Sequence, residues 1–391
     1  MFEVGDYAFA ECSSLNGNLH LGFGLHRIGE FAFYKCNKLT GSLNLGYRKF
    51  EYSYATNINK YDHSSCRICD FAFSGCTSFS GDLHLFNVSY IGKNAFYQCG
   101  FSGSLIIPLT FIDDYAFYGC SKFRGTLTFN ESVRNISNNY VSSEGFYIGA
   151  YAFCGCSGFI GELNFPSAYS YIGEYAFCGC SGFNKLEFGN YYYDIYGFIN
   201  DEKKMRYIGN YAFCNCTGLI GLLNILSSTQ YIGECSFANC SSLNVLYLNS
   251  DCDLMIGKNA FESSNLTSLY YPDPIFEPIY QYPIGLNNNV SIYVSSKYRD
   301  PSFCSYNVFY ESVPSEKFGL SSSEEVVTWN FNNIDEYIQT FNKKLDFYNT
   351  LIFKPNTFFL FDVKNKEGTT DRFPFNHNLL PNQYICYPYN S

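Results

Sequence analysis

The sequence predicts a solenoid of stacked coils, and three observations carry that prediction. One apolar phrase is written ten times between Val4 and Tyr271, with its key aromatic at Phe9, Phe33, Phe73, Phe96, Phe117, Phe153, Phe177, Phe213, Phe237 and Phe261. The steps between copies are 24, 40, 23, 21, 36, 24, 36, 24 and 24 residues, so a period near 24 is lengthened three times by insertions. Self-similarity at such a period marks an array in which each unit stacks on the next. Each copy also closes on a short Leu-x-Leu alternation, as in Leu43-Asn44-Leu45, Leu83-His84-Leu85 and Leu163-Asn164-Phe165. Strict alternation over so few residues reads as a half-buried strand, and a strand recurring once per coil pairs in parallel with its neighbours.

Within each coil the frame runs Ile-Gly, then Ala-Phe, then Cys three residues after the Phe, then Leu or Phe, then Leu-x-Leu. A single coil cannot bury its own apolar side, so stability comes from stacking on its neighbours. The first two coils run regularly from Val4 to Leu45, the third puts Cys69 where Gly is usual, and the fourth is one residue short after Cys99. The insertions, at about 46–65, 130–147 and 189–206, break the apolar frame and read as surface loops. The last begins Gly189-Asn190-Tyr191-Tyr192-Tyr193-Asp194.

This frame resembles the BspA-type, or Treponema-type, leucine-rich repeat, whose range of roughly 20–29 residues brackets the period. The residues that carry the resemblance are the Ile-Gly-x-x-Ala-Phe-x-x-Cys core at Ile28 to Cys36, Ile148 to Cys156, Ile172 to Cys180 and Ile208 to Cys216, and the Leu-x-x-Leu-x-x-Pro variant at Leu266 to Pro272. It implies a leucine-rich-repeat solenoid of about ten coils over residues 1–271, with short parallel strands on one face and irregular, short helical or strand segments on the other. It further implies a non-enzymatic binding or adhesion protein at the cell surface or secreted, like the surface antigens of bacteria and parasitic protists. Ile292-Tyr293-Val294 looks like the closing strand of such arrays.

After residue 271 the grammar changes, since ten of the 12 prolines but only three of the 32 glycines and two of the 18 cysteines fall there. Residues 272–321 are expected to form an irregular C-terminal cap, because Pro272, Pro274, Pro278 and Pro283 exclude a regular helix or central strand. The tail, 322–391, is expected to be small and α+β or irregular. In it Ile334, Tyr337, Ile338, Phe341 and Leu345 recur at helical spacing, with Asp335 and Glu336 early and Lys343 and Lys344 late, which predicts a short amphipathic helix lying over the last coil.

A net charge of −10 argues against a nucleic-acid or anionic-membrane partner. No run of 18 apolar residues is present to span a bilayer. Met1 to Asp6 already lie inside a repeat and do not read as a signal peptide, so the chain is expected to be a fragment of something longer. A cytoplasmic location is the alternative to the surface one.

Nine cysteines, Cys12, Cys36, Cys76, Cys99, Cys120, Cys156, Cys180, Cys216 and Cys240, hold the same repeat position, which reads as a ladder of small buried hydrophobes. Cys-x-Cys pairs at Cys154/Cys156, Cys178/Cys180 and Cys214/Cys216 would be brought close by stacking. One member of each already belongs to the ladder, so no metal or other cofactor is assigned. Five histidines, scattered, and the absence of any Gly-x-Ser-x-Gly, phosphate-loop or His-Glu-x-x-His motif give no catalytic residues.

The expected binding feature is the outward ladder of the Leu-x-Leu strands: His20, Asn44, His84, Ile106, Thr128, Asn164, Glu187, Asn224, Tyr247 and Tyr270. At the usual strand spacing these span roughly 45 Å, a face suited to a protein or glycan ligand. An intracellular scaffold using the same face is the second reading.

Overall fold

The computed structural model describes residues 2–22, 24–45, 65–86, 88–130, 146–166, 168–189, 205–226, 228–248, 254–271, 278–280, 283–294, 298 and 302–309, with the strands Glu325–Phe331, Thr357–Lys364 and Thr370–Phe375. The chain divides into two compact units, Met1–Val308 and Phe309–Ser391.

The first unit is a β-solenoid of about ten turns, and no helix occurs among the described residues. Each regular coil carries two short strands. One precedes the turn, and in seven coils it ends on the Ile of Ile-Gly; eleven such strands, from Phe2–Val4 to Ile279–Tyr280, pair in parallel into one unbroken sheet. The other is the expected Leu-x-Leu strand, distributed over several smaller sheets. Inward residues of both meet in one core, with Ile28, Ile68, Ile91, Ile172 and Ile208 from the first kind and Leu43, Leu83, Leu105, Leu163 and Leu223 from the second.

The turn between the two strands explains the repeated phrase. In the coil around Phe177, Ala176, Cys178 and Cys180 donate their N–H groups to the carbonyls three residues back, at Gly173, Tyr175 and Phe177. The intervening N–H groups of Tyr175, Phe177 and Gly179 donate to Asn210, Ala212 and Cys214 of the next coil at 2.7 to 2.8 Å. Alternate donors thus serve the coil's own turn and its neighbour, which leaves these backbone donors satisfied without a helix. The geometry requires positive φ at the residue two after Gly, 57° at Tyr151, 55° at Tyr175 and 56° at Tyr211. The Gly itself is needed for close approach: a Cβ on Gly173 would lie 2.6 Å from the Ala150 nitrogen and the Gly149 carbonyl carbon of the preceding coil.

The aromatic ladder stacks as the repeat predicts. Consecutive rings from Phe9 to Phe261 lie 4.9 to 5.7 Å apart and nearly parallel. Phe153, Phe177 and Phe213 are buried, and Phe9, in the first coil, is 41% exposed.

The cysteine ladder does more than fill space. From Cys36 to Cys240 each of eight thiols donates to the carbonyl of the ladder Phe in the preceding coil, at 3.0 to 3.3 Å. Cysteine supplies small apolar volume together with a second donor to a Phe carbonyl that already accepts one N–H within its own turn, which alanine or valine does not.

Two details differ from the sequence reading. Leu19-His20-Leu21 is not a strand; in that coil the strand is Asn16–Asn18, paired with Lys38–Thr40. The outer Leu-x-Leu ladder is also not continuous, because its sheets break after Asn130 and after Phe188, next to two of the insertions. Toward the C-terminus, Ser291–Val294 pairs in parallel with Ser268–Tyr271, and Ser302–Phe303 forms an antiparallel hairpin with Tyr306–Phe309.

The second unit contains a three-stranded sheet in which Thr357–Lys364 pairs in parallel with Glu325–Phe331 and antiparallel with Thr370–Phe375. The amphipathic helix expected over 334–345 and the bulk of the three insertions lie outside the described residues.

Candidate interaction surfaces

The expected ladder residues divide into three groups. Asn44, Thr128, Asn164 and Asn224 stand exposed on their strands, and His20 is exposed but off any strand. His84, Ile106, Glu187 and Tyr247 are half-buried. Tyr270 does not face solvent: it is only 2% exposed, stacked between Tyr247 at 5.9 Å and Tyr293 at 5.0 Å. Alternation sets the direction of a side chain, and what covers it is set elsewhere.

The surface is neutral and locally self-paired. Lys185 bridges Glu187 at 2.6 Å, and Thr126 and Thr128 share a hydrogen bond at 3.4 Å. Four exposed asparagine and threonine side chains spread over three sheets, with Asn44 and Thr128 at opposite edges of one, offer little that converges on one ligand.

The eleven-stranded sheet presents a different surface. The residue before each Ile points away from the core, and the register places Arg27, Arg67, Tyr90 and Phe111 in one line and Tyr147, Tyr171, Tyr207, Tyr231, Met255 and Ile279 in its continuation. Tyr171, Tyr207 and Tyr231 stack face to face at 4.6 Å. Tyr171 is 40% exposed, Met255 43% and Ile279 49%. A contiguous apolar stripe of this kind on a regular sheet is the composition expected of a protein contact.

Charge borders the stripe. Arg67 lies over the Tyr90 ring at 4.3 Å, and the Tyr90 hydroxyl donates to Asp113 at 2.7 Å. Tyr231 donates to Asn210 at 3.1 Å. Burial pushes the Tyr207 phenol up to about 12. Tyr147 and Tyr171 are raised by burial and then by nearby carboxylates, Asp113 and Asp114 for the first and Asp114 and Glu174 for the second. These phenols therefore remain neutral donors at physiological pH.

Sequence reasoning missed this face although its signal was visible. Tyr-Ile-Gly recurs at Tyr90, Tyr147, Tyr171, Tyr207 and Tyr231. Strands of two to four residues are too short to announce themselves by alternation.

Among the described residues, no three His, Cys, Asp or Glu side chains are placed to hold a metal ion, and no helix is long and apolar enough to cross a membrane.

Residues 1–46, 43–145 and 146–283 match the family described as BspA type leucine rich repeat region, in six copies. No curated protein matches the chain. Among solved structures, a leucine-rich repeat protein from Bacteroides ovatus is 20% identical, with 92% of this chain and 87% of that one covered and a TM-score of 0.34. A leucine rich cell surface protein from Faecalibacterium prausnitzii is 18% identical over 82% and 86% of the two chains, TM-score 0.39. A leucine-rich repeat protein from Eubacterium ventriosum is 16% identical over 76% and 84%, TM-score 0.36.

Proposed function

Because the chain belongs to the BspA-type leucine-rich repeat family, a family of protein-binding repeat scaffolds, we propose that it acts without catalysis, presenting its eleven-stranded sheet to a protein partner at the cell surface. The observation that carries this reading is the outward stripe Tyr147, Tyr171, Tyr207, Tyr231, Met255 and Ile279, held on consecutive in-register strands. Rigid aromatics are favoured binding anchors because they bring large contact area at little cost in side-chain entropy. Of the neighbouring carboxylates, Asp114 is paired with Lys93 at 3.2 Å and Asp113 accepts from Tyr90, so it is the exposed Glu174 that favours a basic contact on the partner.

The polar ladder of Asn44, His84, Thr128, Asn164 and Asn224 is the competing site, suited to a glycan as much as to a protein. A photo-crosslinking residue placed at Tyr207 should trap a partner from the producing organism or its host, and one at Asn164 should not. The opposite pattern would move the site to the polar ladder. Surface biotinylation of intact against permeabilised cells tests the location, and labelling only after permeabilisation would favour the intracellular scaffold.

A further inference from the structure

The turns carry two parallel columns of cysteine with opposite properties. The inner column, Cys156, Cys180 and Cys216, is buried, and each thiol is already donating to a backbone carbonyl. The outer column, two residues earlier, is Cys154, Cys178 and Cys214, none in a disulfide; Cys154 and Cys178 are half-exposed, and Cys214 is buried. Tyr118 precedes this column and Ala238 follows it, so it contains three thiols on three consecutive coils.

Its spacing is that of a parallel ladder. Gly155 donates to the Cys178 carbonyl at 2.9 Å and Gly179 to the Cys214 carbonyl at 2.8 Å, which sets successive coils in register at these positions. Strands so paired lie about 4.8 Å apart, inside the Cα separation of about 4.4–6.8 Å that a disulfide spans. Cys178 packs against the small cluster of Cys214, Cys235 and Ala238 on one side, and the register sets Cys154 one coil away on the other. Three thiols in a line do not converge as zinc ligands would, which fits the lack of a metal-competent group here. A line does give the central thiol two partners.

We infer that Cys154, Cys178 and Cys214 form a thiol–disulfide exchange site, in which Cys178 attacks a low-molecular-weight disulfide and then closes a bond to Cys154 or Cys214 on an adjacent coil. The Cys178 thiolate attacks one sulfur of RSSR, the S–S bond breaks, and RS⁻ leaves and takes up a proton. Cys154 or Cys214 then gives up its proton and attacks the Cys178 sulfur of the mixed disulfide, expelling a second RS⁻, which is protonated in turn. Two protein thiols and RSSR become one inter-coil disulfide and two RSH.

The surroundings assign the roles. Cys178 is the nucleophile because it is the central, half-exposed thiol of the column, with a resolving thiol one coil away on either side. Once one bond exists, exchange with the third thiol can move it one coil along the stack.

The test uses the whole chain, reduced and desalted, then exposed to glutathione disulfide and mapped by mass spectrometry after alkylation. The expected products are a transient glutathione adduct at Cys178 and then loss of two hydrogens with a Cys154–Cys178 or Cys178–Cys214 link. C178S should abolish both links, whereas C154S should leave the Cys178–Cys214 link. Adducts confined to other cysteines, or a C178S chain that oxidises like the parent, would each overturn the proposal. Circular dichroism of C178S, matching the parent, shows that the variant is folded when it is read.

Discussion

Raising the pH should dissolve the coil stack from the inside, through thiols that water does not reach. Cys76, Cys99, Cys156, Cys180, Cys216 and Cys240 are buried ladder residues. Burial pushes Cys76 and Cys240 up to about 12 and raises Cys99, Cys156, Cys180 and Cys216 as well. In the unfolded chain the same thiols ionise at about 8.5. A folded-state value above the unfolded one means that the unfolded chain sheds protons first. The stability is therefore fully present below about 8.5 and declines as the pH climbs beyond it. A thiol that stays protonated when folded and ionises when unfolded costs about 1 kcal/mol between about pH 8 and 9.5. Six such groups give about 6 kcal/mol, a large part of the roughly 5–15 kcal/mol by which ordinary domains are stable. Urea unfolding followed by far-ultraviolet circular dichroism, with a phosphine reductant present, should show the midpoint falling by about 2 M across that interval. Replacing Cys180 and Cys216 together by Ala should lower the midpoint at neutral pH but make its pH dependence shallower by about a third. A midpoint that stays level from neutral pH to 9.5 would refute the claim that these thiols are held neutral by burial.

Phe177→Ala removes a ring stacked between Phe153 and Phe213 and should cost about 3–5 kcal/mol in a chemical melt. Asn164→Ala, on an exposed strand position, should change stability by less than about 0.5 kcal/mol in the same assay. Gly209→Ala drives a Cβ to 2.6 Å from the Gly173 carbonyl carbon, so its melt should fall well below that of a surface control such as Glu174→Ala. Tyr270→Ala, at a position expected from sequence to be a contact residue, should destabilise in the manner of Phe177→Ala because Tyr270 is buried. Tyr207→Ala with Tyr231→Ala should weaken partner capture while keeping the parent's circular dichroism spectrum; unchanged capture would remove the stripe from the binding reading.

The stacked architecture was legible because it rests on repetition. Phe153, Phe177 and Phe213 recur in register, and identical coils bury identical positions whatever their local propensity. Less legible was how the backbone of each turn is satisfied. Nothing in Ile-Gly-x-x-Ala-Phe reveals that every other N–H reaches the next coil, so the two-residue strands Tyr207–Ile208 and Tyr231–Ile232 could be found only once the coils were stacked. Eight of the nine ladder cysteines lie in the core as expected, and Cys12 is exposed because no described coil precedes it to cover it; the thiol's hydrogen bond to the Phe carbonyl depends on the preceding coil and lies beyond residue type. Tyr270 shows the converse limit: its outward direction followed from alternation, while its cover did not.

The hydrogen bonds that join one coil to the next run along the axis of the stack. A pull along that axis loads a single seam at a time, so the fold should yield by peeling, coil after coil, instead of shearing apart as a block. Each released repeat of 24 residues would pay out roughly 80 Å of extended chain, which makes the solenoid an extensible tether whose slack is dispensed in equal lengths.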